Sequence, residues 1–353
     1  MKAPSDKPGR RPRYRGTHPR RFEEKYKEHH PDKYPETIQK VIESGKTPAG
    51  THRPICVQEI MEILAPKEGE VAVDCTLGYG GHSMRLLPKL MPGGRLIGLD
   101  VDPMELPRTE ERLREMGFPA DALTIRRSNF AGLPRLLAEL GLGGVDMVLS
   151  DLGCSSMQLD NPARGFSFKL DGPLDLRMNP NRGQPVSALL AKVEERKLVE
   201  LLRENADEPH AERIAAAIIK ARSQSPILTT ATLTRLVRDT VASLTKHADE
   251  EGDDEDVSVR RVFQALRIEV NEEFNALETF LRFLPTCLNP GGRVAILTFH
   301  SGEDRRVKKS FQAGVRDGIY SSVANDVIRP SPEEIRSNPR ASSAKLRWAV
   351  RSG

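Results

Sequence analysis

Cysteine is scarce: there are four in 353 residues, and Cys56, Cys75, Cys154 and Cys287 form no C-x-x-C pair. Their scatter argues against a zinc knuckle and against a disulfide framework, so no metal site is expected from them. Reduced thiols in the cytoplasm are the simplest account. No run of about eighteen apolar residues exists, which leaves nothing to span a membrane. The first fifty residues lack a hydrophobic signal segment, and Glu23, Glu24 and Glu28 interrupt the basic run that an organellar targeting segment would need. What remains is enough chain for one large or two ordinary domains, with a net charge of +4 that hides strong local asymmetry.

The stretch from Val71 to Asp102 organises the rest. Val71 to Leu77 is a short apolar run carrying Asp74, followed by Gly78-Tyr79-Gly80-Gly81-His82, after which Ser83 to Leu90 can open a helix. A second apolar run, Arg95 to Asp100, ends in an acid about twenty residues past the turn, the spacing of a mononucleotide-binding βαβ unit. The glycines let backbone approach a ligand closely, and the helix start offers free N–H groups. The acid Asp100 suits a ribose diol, so an adenosine-containing cofactor is implied. NAD and S-adenosylmethionine both carry adenosine. Asp74 would repel a pyrophosphate but can meet the ammonium of a methionine moiety, and the third glycine of G-x-G-x-x-G is missing. Both features favour S-adenosylmethionine, while a turn that binds nothing stays open.

Residues 1–50 read as a basic arm rich in Arg, Lys, Pro and His, unable to build a core. Electrostatic attachment to a polyanion and a plain solvated tail are equal readings of it. Residues 51–160 and 261–353 read as a doubly wound, Rossmann-like α/β domain. Val57 to Leu64 is a helix, and Leu123 to Phe130 and Val145 to Asp151 are the third and fourth strands. Alternation then stops. Residues 161–260 read as a helical insertion between strands four and five, with helical spacing over Val186 to Leu202, Ala211 to Ala221 and Leu233 to Leu244. Its acidic tract, Asp249 to Asp256, reads as a solvated loop and not a metal site. Arg261 to Leu284 is one long amphipathic helix on this reading, Arg293 to His300 a further buried strand, and Lys345 to Arg351 an edge or closing strand.

Seven stretches in order resemble the signatures of the RsmH/MraW methyltransferases. They are Asp74 to Ser83, Asp151 to Asp160, Arg164 to Phe168, Asp171 to Met178, Phe263 to Arg267, Phe299 to Arg305 and Asn338 to Arg340. The match runs from about His52 to the C-terminus, with the basic arm outside it. The resemblance implies a class I methyltransferase sheet that moves a methyl group from S-adenosylmethionine to the exocyclic N4 of a cytidine. The RNA would be that of the small ribosomal subunit, near the decoding site, met as naked RNA or as a particle. Cofactor contacts then fall on Gly80, Gly81, His82, Asp100, Phe130, Asp151 and Gln158. The chain departs from the family at Cys154, where an aliphatic residue is usual, at Gly302 for Leu, at Asn179 for Asp, and at Ser342 for Arg.

Asp151, at the end of the fourth strand, is the candidate for positioning the amine or accepting its proton; the bland reading is that it only touches the cofactor. His300 is a second catalytic candidate, set against a capping box formed by Ser301 and Asp304. Arg164, Phe166, Phe168, Arg267, Arg305 and Lys308 are candidate RNA contacts, although Phe166 and Phe168 could equally be a small core. A noncatalytic RNA-binding assembly factor would share the arm and the insertion, and an NAD-dependent oxidoreductase is disfavoured by Asp74. Oligomeric state is open, a homodimer included.

Overall fold

The computed structural model describes residues 54–245 and 255–353. The arm, and residues 249–254 of the acidic tract, lie outside the described residues. In chain order the first elements are α1 (Val57–Leu64), β1 (Val71–Asp74), α2 (Ser83–Leu90), β2 (Arg95–Asp100), α3 (Leu106–Arg114), β3 (Leu123–Arg127), α4 (Leu133–Glu139) and β4 (Val145–Asp151). The apolar runs are hydrophobic on both faces, as strands covered on both sides must be. Successive residues accordingly alternate between two cores. Ala72, Leu96, Met147 and Leu149 join Ile60, Leu64, Leu86 and Leu90 on one side. Val73, Ile97, Leu99 and Val148 join Leu136, Leu137 and Leu284 on the other.

Between β4 and the next strand come α5 (Ser156–Asp160), α6 (Val186–Lys192), α7 (Glu195–Ala206), α8 (Ala211–Gln224), α9 (Thr230–Thr245), α10 (Glu255–Val270) and α11 (Glu273–Cys287). The helices from α6 to α10 close over a third core that includes Leu190, Leu198, Leu202, Ile214, Ile218, Leu233, Val237, Val262 and Leu266. Two expected helices are each broken in two. The pattern from Val186 to Leu202 is interrupted where Val193 and Glu194 turn extended. The long helix expected over 261–284 starts earlier, at Glu255, and breaks at Glu272, whose φ is 52°. The reason is that its apolar stripe serves two cores. α10 buries Val262 and Leu266 in the insertion, whereas α11 buries Leu277, Phe280 and Leu284 against the sheet. Asn271 fills the break, donating to the carbonyls of Leu176 and Arg267 at 2.8 Å each and accepting from the Met178 N–H at 2.7 Å.

The chain returns as β5 (Leu288–Thr298), then α12 (Ser301–Arg316), β6 (Tyr320–Val323), α13 (Pro332–Ser337) and β7 (Lys345–Arg351). The sheet order is β3-β2-β1-β4-β5-β7-β6. β1 to β5 are parallel, and β7 slots antiparallel between β5 and β6. The last strand is therefore internal, and β6, too short to show a pattern in the sequence, forms the edge. β5 begins before the Asn289–Gly292 turn expected to precede it: Val145 pairs with Leu288 and Met147 with Arg293, so the turn bulges out within the strand. Strand order reverses between β1 and β4, the switch point where open α/β sheets bind ligands at their carboxyl ends.

Phe280 is 1% exposed beneath that rim, and its ring meets Phe130 edge-on with centroids 5.3 Å apart. Phe280→Ala should cost about 3–5 kcal/mol in urea unfolding; a loss below about 1 kcal/mol would mean the site collapses without a cavity.

Candidate active site

The glycine turn is braced from behind. The Asp100 carboxylate accepts the Gly78 N–H at 2.7 Å on one oxygen and the Asp102 N–H at 2.9 Å on the other. From α3, the Thr109 hydroxyl donates to the Gly78 carbonyl at 2.7 Å, and Arg112 donates to the Tyr79 carbonyl at 2.8 Å while lying 3.7 Å over its ring. Gly80 has φ 80°, and a Cβ there would stand 3.0 Å from Thr109 Cγ2. A Cβ on Gly81 would stand 3.1 Å from Pro54. Side chains at these two positions would strain the turn and push on its supports.

Asp74, expected to meet a ligand ammonium, does structural work instead. It is 2% exposed, accepts the Ser83 hydroxyl at 2.7 Å and the Thr76 N–H at 3.2 Å, and so ties the first turn of α2 to β1. Burial lifts its carboxyl above the usual range. His82 is 7% exposed, with Nε2 lacking a hydrogen bond and lying 3.6 Å from Asp151 Oδ2. Asp151 ends β4, its N–H donates to the Thr76 hydroxyl at 2.6 Å, and its side chain is 28% exposed. Phe130 lies beyond the end of β3, which stops at Arg127; it opens a short turn capped by Asn129, whose Oδ1 accepts the Ala131 N–H.

Gln158 forms a capping box with Ser155 at the start of α5 and donates to Asp102 at 2.9 Å. Asp102, 2% exposed, is a hub that the sequence reading passed over. Its place two residues beyond Asp100, where β2 has just ended, was the available signal. The same Asp102 oxygen accepts from Arg164 at 2.8 Å, and Arg164 also donates to the carbonyls of Arg177 and Met178.

Arg164 is thus corrected from RNA contact to buried strut, because Asp102 and two carbonyls take its guanidinium. Phe166 is 5% exposed, and Phe168 meets Phe263 edge-on at 6.0 Å in the insertion core, so the two rings are packing residues and not stacking platforms. Arg267 forks onto Glu273 at 2.9 and 3.0 Å and donates to Cys154 Sγ at 3.3 Å, so its guanidinium is largely covered and already paired. Arg305 is 56% exposed, 3.5 Å from Asp207, and Lys308 is exposed on the same helix. His300 precedes α12 without a side-chain capping bond, its Nε2 lying 3.3 Å from Glu303, and the expected Ser301 and Asp304 box does not form. Asp304 instead binds Arg347 at 2.6 Å. Burial raises the Cys154 thiol above its ordinary range, which keeps it protonated.

Among the described residues no helix is long and apolar enough to cross a membrane. The donor set fits S-adenosylmethionine: two glycines without room for a Cβ, a half-buried acid at the end of β2, and a buried imidazole nitrogen lacking a hydrogen bond. Sheet order, glycine turn and strand-end acids together define an S-adenosylmethionine-dependent methyltransferase of the class I type. Comparison then gives the family. The chain belongs to the MraW methylase family, whose profile matches residues 49–352. It is 50% identical to ribosomal RNA small subunit methyltransferase H 2 of Alkaliphilus metalliredigens over 98% of this chain and 99% of that one. It is 51% identical to ribosomal RNA small subunit methyltransferase H 1 of Lachnoclostridium phytofermentans, covering 97% and 93%. Both alignments reach into the basic arm, which the expected resemblance had left out. An S-adenosylmethionine-dependent O-methyltransferase structure from Thermotoga maritima is 12% identical with a TM-score of 0.39, covering 90% of this chain and 72% of that one.

Burial lifts Asp100 from an ordinary 3.8 to about 6, with the two backbone N–H donors only partly offsetting it. Its proton is held more tightly in the folded chain than in the unfolded one, so this acid destabilises the fold as pH rises through about 6. Each Asp100 oxygen already accepts an N–H, so only the ionised form keeps a free acceptor site on both oxygens for the two hydroxyls of a diol. Calorimetry should show S-adenosylmethionine affinity falling about fourfold from about pH 7.5 to about pH 5.5, with Asp100→Asn weak and flat across that range. A flat wild-type profile would contradict the assignment.

Proposed function

We propose that the chain methylates the exocyclic N4 of a cytidine in small-subunit ribosomal RNA, near the decoding site, in the cytoplasm. The observation that carries this is Asp151: a partly exposed carboxylate at the switch point, 3.6 Å from His82 of the cofactor turn. When bound, S-adenosylmethionine supplies a methyl group on a sulfonium, already a good leaving group. Gly80, Gly81, His82, Asp100 and Phe130 would hold it over β1 to β3. The chain's remaining task is to place the amine, an orientation effect.

Cytosine N4 is a poor nucleophile because its lone pair is delocalised into the ring. An acceptor at N4–H holds the amine and favours its pyramidal, attacking form. Asp151 is suited to that role, and its carboxylate can take the proton the amine releases. The protonated, half-buried Cys154 supports attack by nitrogen over thiol addition to the ring. The insertion serves as the RNA-recognition part, and Arg305 and Lys308, on α12 outside it, add cations on the accessible surface.

Undermethylated small-subunit particles and naked RNA, incubated with labelled cofactor and digested to nucleosides, should yield N4-methylcytidine from one of the two. Label on another nucleoside, or none, would contradict the reading. In the same assay Asp151→Asn should lower transfer by about 10²-fold with cofactor affinity kept; equal loss of both would reduce Asp151 to a cofactor contact.

Residues 1–50 hold 13 of the 54 Lys and Arg but only 7 of the 50 Asp and Glu, so the rest of the chain is net acidic. The arm is therefore the main attraction for phosphate. Deleting residues 1–50 should weaken RNA binding and flatten its dependence on salt; an unchanged salt slope would make the arm a spectator.

A further inference from the structure

A buried knot of charge lies beside the acceptor half of the site: Arg267 of α10, Glu273 of α11, His300 after β5, and Glu303 of α12. Arg267 takes both Glu273 oxygens and reaches Cys154 Sγ at 3.3 Å. Glu303 is 3% exposed; one oxygen accepts the Phe299 N–H at 2.9 Å and the other lies 3.3 Å from His300 Nε2. Burial alone would raise the Glu303 carboxyl, but His300, the Phe299 N–H and Arg267 outweigh it and hold the group below the usual range. The His300 side chain is 10% exposed, and neither ring nitrogen has a well-aligned hydrogen bond. One ligand-capable atom from each of Glu273, His300 and Glu303 falls within 4.8 Å of the others, but Arg267 already occupies both Glu273 oxygens, so the knot closes on its own charges.

Burying several ions costs several kcal/mol per ion, and apolar packing of the same volume is often as stable or more so. Stability alone is a weak reason for the knot, whereas its two outer contacts suggest another. Cys154 sits three residues past Asp151 on the loop leaving β4, and Phe299 follows the last residue of β5. The two strands are directly paired there, Asp151 opposite Leu297, with the Leu152 N–H donating to the Leu297 carbonyl at 3.0 Å. Phe299 also packs on this loop: a Cβ at Gly153 would stand 3.5 Å from its ring. The Phe274 ring covers the knot, 5.7 Å from the His300 ring, with Arg306 stacked 3.6 Å over it. Gly302 makes room for that ring, since a Cβ there would come 2.7 Å from Phe274 Cζ.

We propose that Arg267, Glu273, His300 and Glu303 are positioning residues that fix the Asp151–Cys154 loop against the end of β5 and so set how the target amine meets Asp151. The proposal rests on the methyl-transfer reading above. A misplacement of about 1 Å can cost about 10²-fold in rate without touching affinity.

Arg267→Lys keeps the charge but loses the fork and the reach to Cys154. Cys154→Ala releases one end of the knot and leaves the ion pair whole. Steady-state transfer to undermethylated particles, calorimetry with S-adenosylmethionine and thermal melting separate the outcomes. Arg267→Lys should lower kcat by about 10- to 100-fold, and Cys154→Ala by about 3- to 10-fold, with cofactor affinity and the KM for particles within about twofold. A raised KM with unchanged kcat would make Arg267 an RNA contact, and a lowered melting point with unchanged kcat would make the knot purely structural; either overturns the proposal. Should Arg267→Lys fail to fold, Cys154→Ala decides alone. Wild-type protein that transfers no methyl at all would instead remove the functional reading beneath it.

Discussion

Where the strand order reverses, β1 and β4 pair directly, and at the rim the Asp151 N–H extends that pairing by donating to the Thr76 hydroxyl at 2.6 Å. On one side β1, β2 and β3 lead into the glycine turn, Asp100 and the turn that Phe130 opens. On the other, β4 and β5 end in Asp151 and His300. A parallel sheet opens a crevice at such a reversal because neighbouring connections leave in opposite directions. The chemistry requires a donor over one half and an acceptor over the other, and the β1–β4 pairing, carried to the rim by the Thr76 bond, keeps the two in register. Asp102 extends the constraint outward, since through Gln158 and Arg164 it ties the first loops of the insertion back to the cofactor strand.

The parts legible in the sequence were those whose physics is local. β1, β2 and β4 are short apolar runs bounded by an acid or a glycine turn. β2 and β4 have the expected ends, and β1 closes on the Asp74 within its run. The glycine turn was readable because only glycine tolerates φ 80° at Gly80 beside Thr109. What escaped depends on distant partners. Arg164 and Arg267 looked like phosphate contacts because an arginine in sequence shows its charge but not the acid that neutralises it. Asp102 lies 62 residues from Arg164, while Glu273 stands only six beyond Arg267 but across a helix break. That break was itself hidden, because one apolar stripe feeds two cores and the periodicity runs through the change of direction.

Two of the four departures from the family pattern, Cys154 and Gly302, are readable in the same terms. Cys154 receives a hydrogen bond from Arg267 and stays a thiol; Gly302 yields its volume to Phe274. Charge is divided unevenly along the chain: residues 1–50 carry the surplus positive charge, and the remainder is net acidic. Relatives at about half identity align into that arm, whereas the family profile begins only at residue 49.

The division of the rim into a donor half and an acceptor half is tested most directly by hydrogen exchange with and without S-adenosylmethionine. Slower exchange over residues 76–83, 98–102 and 128–132, with α8 and α9 unchanged, is the expected pattern. Protection confined to the insertion, or none anywhere, would contradict it.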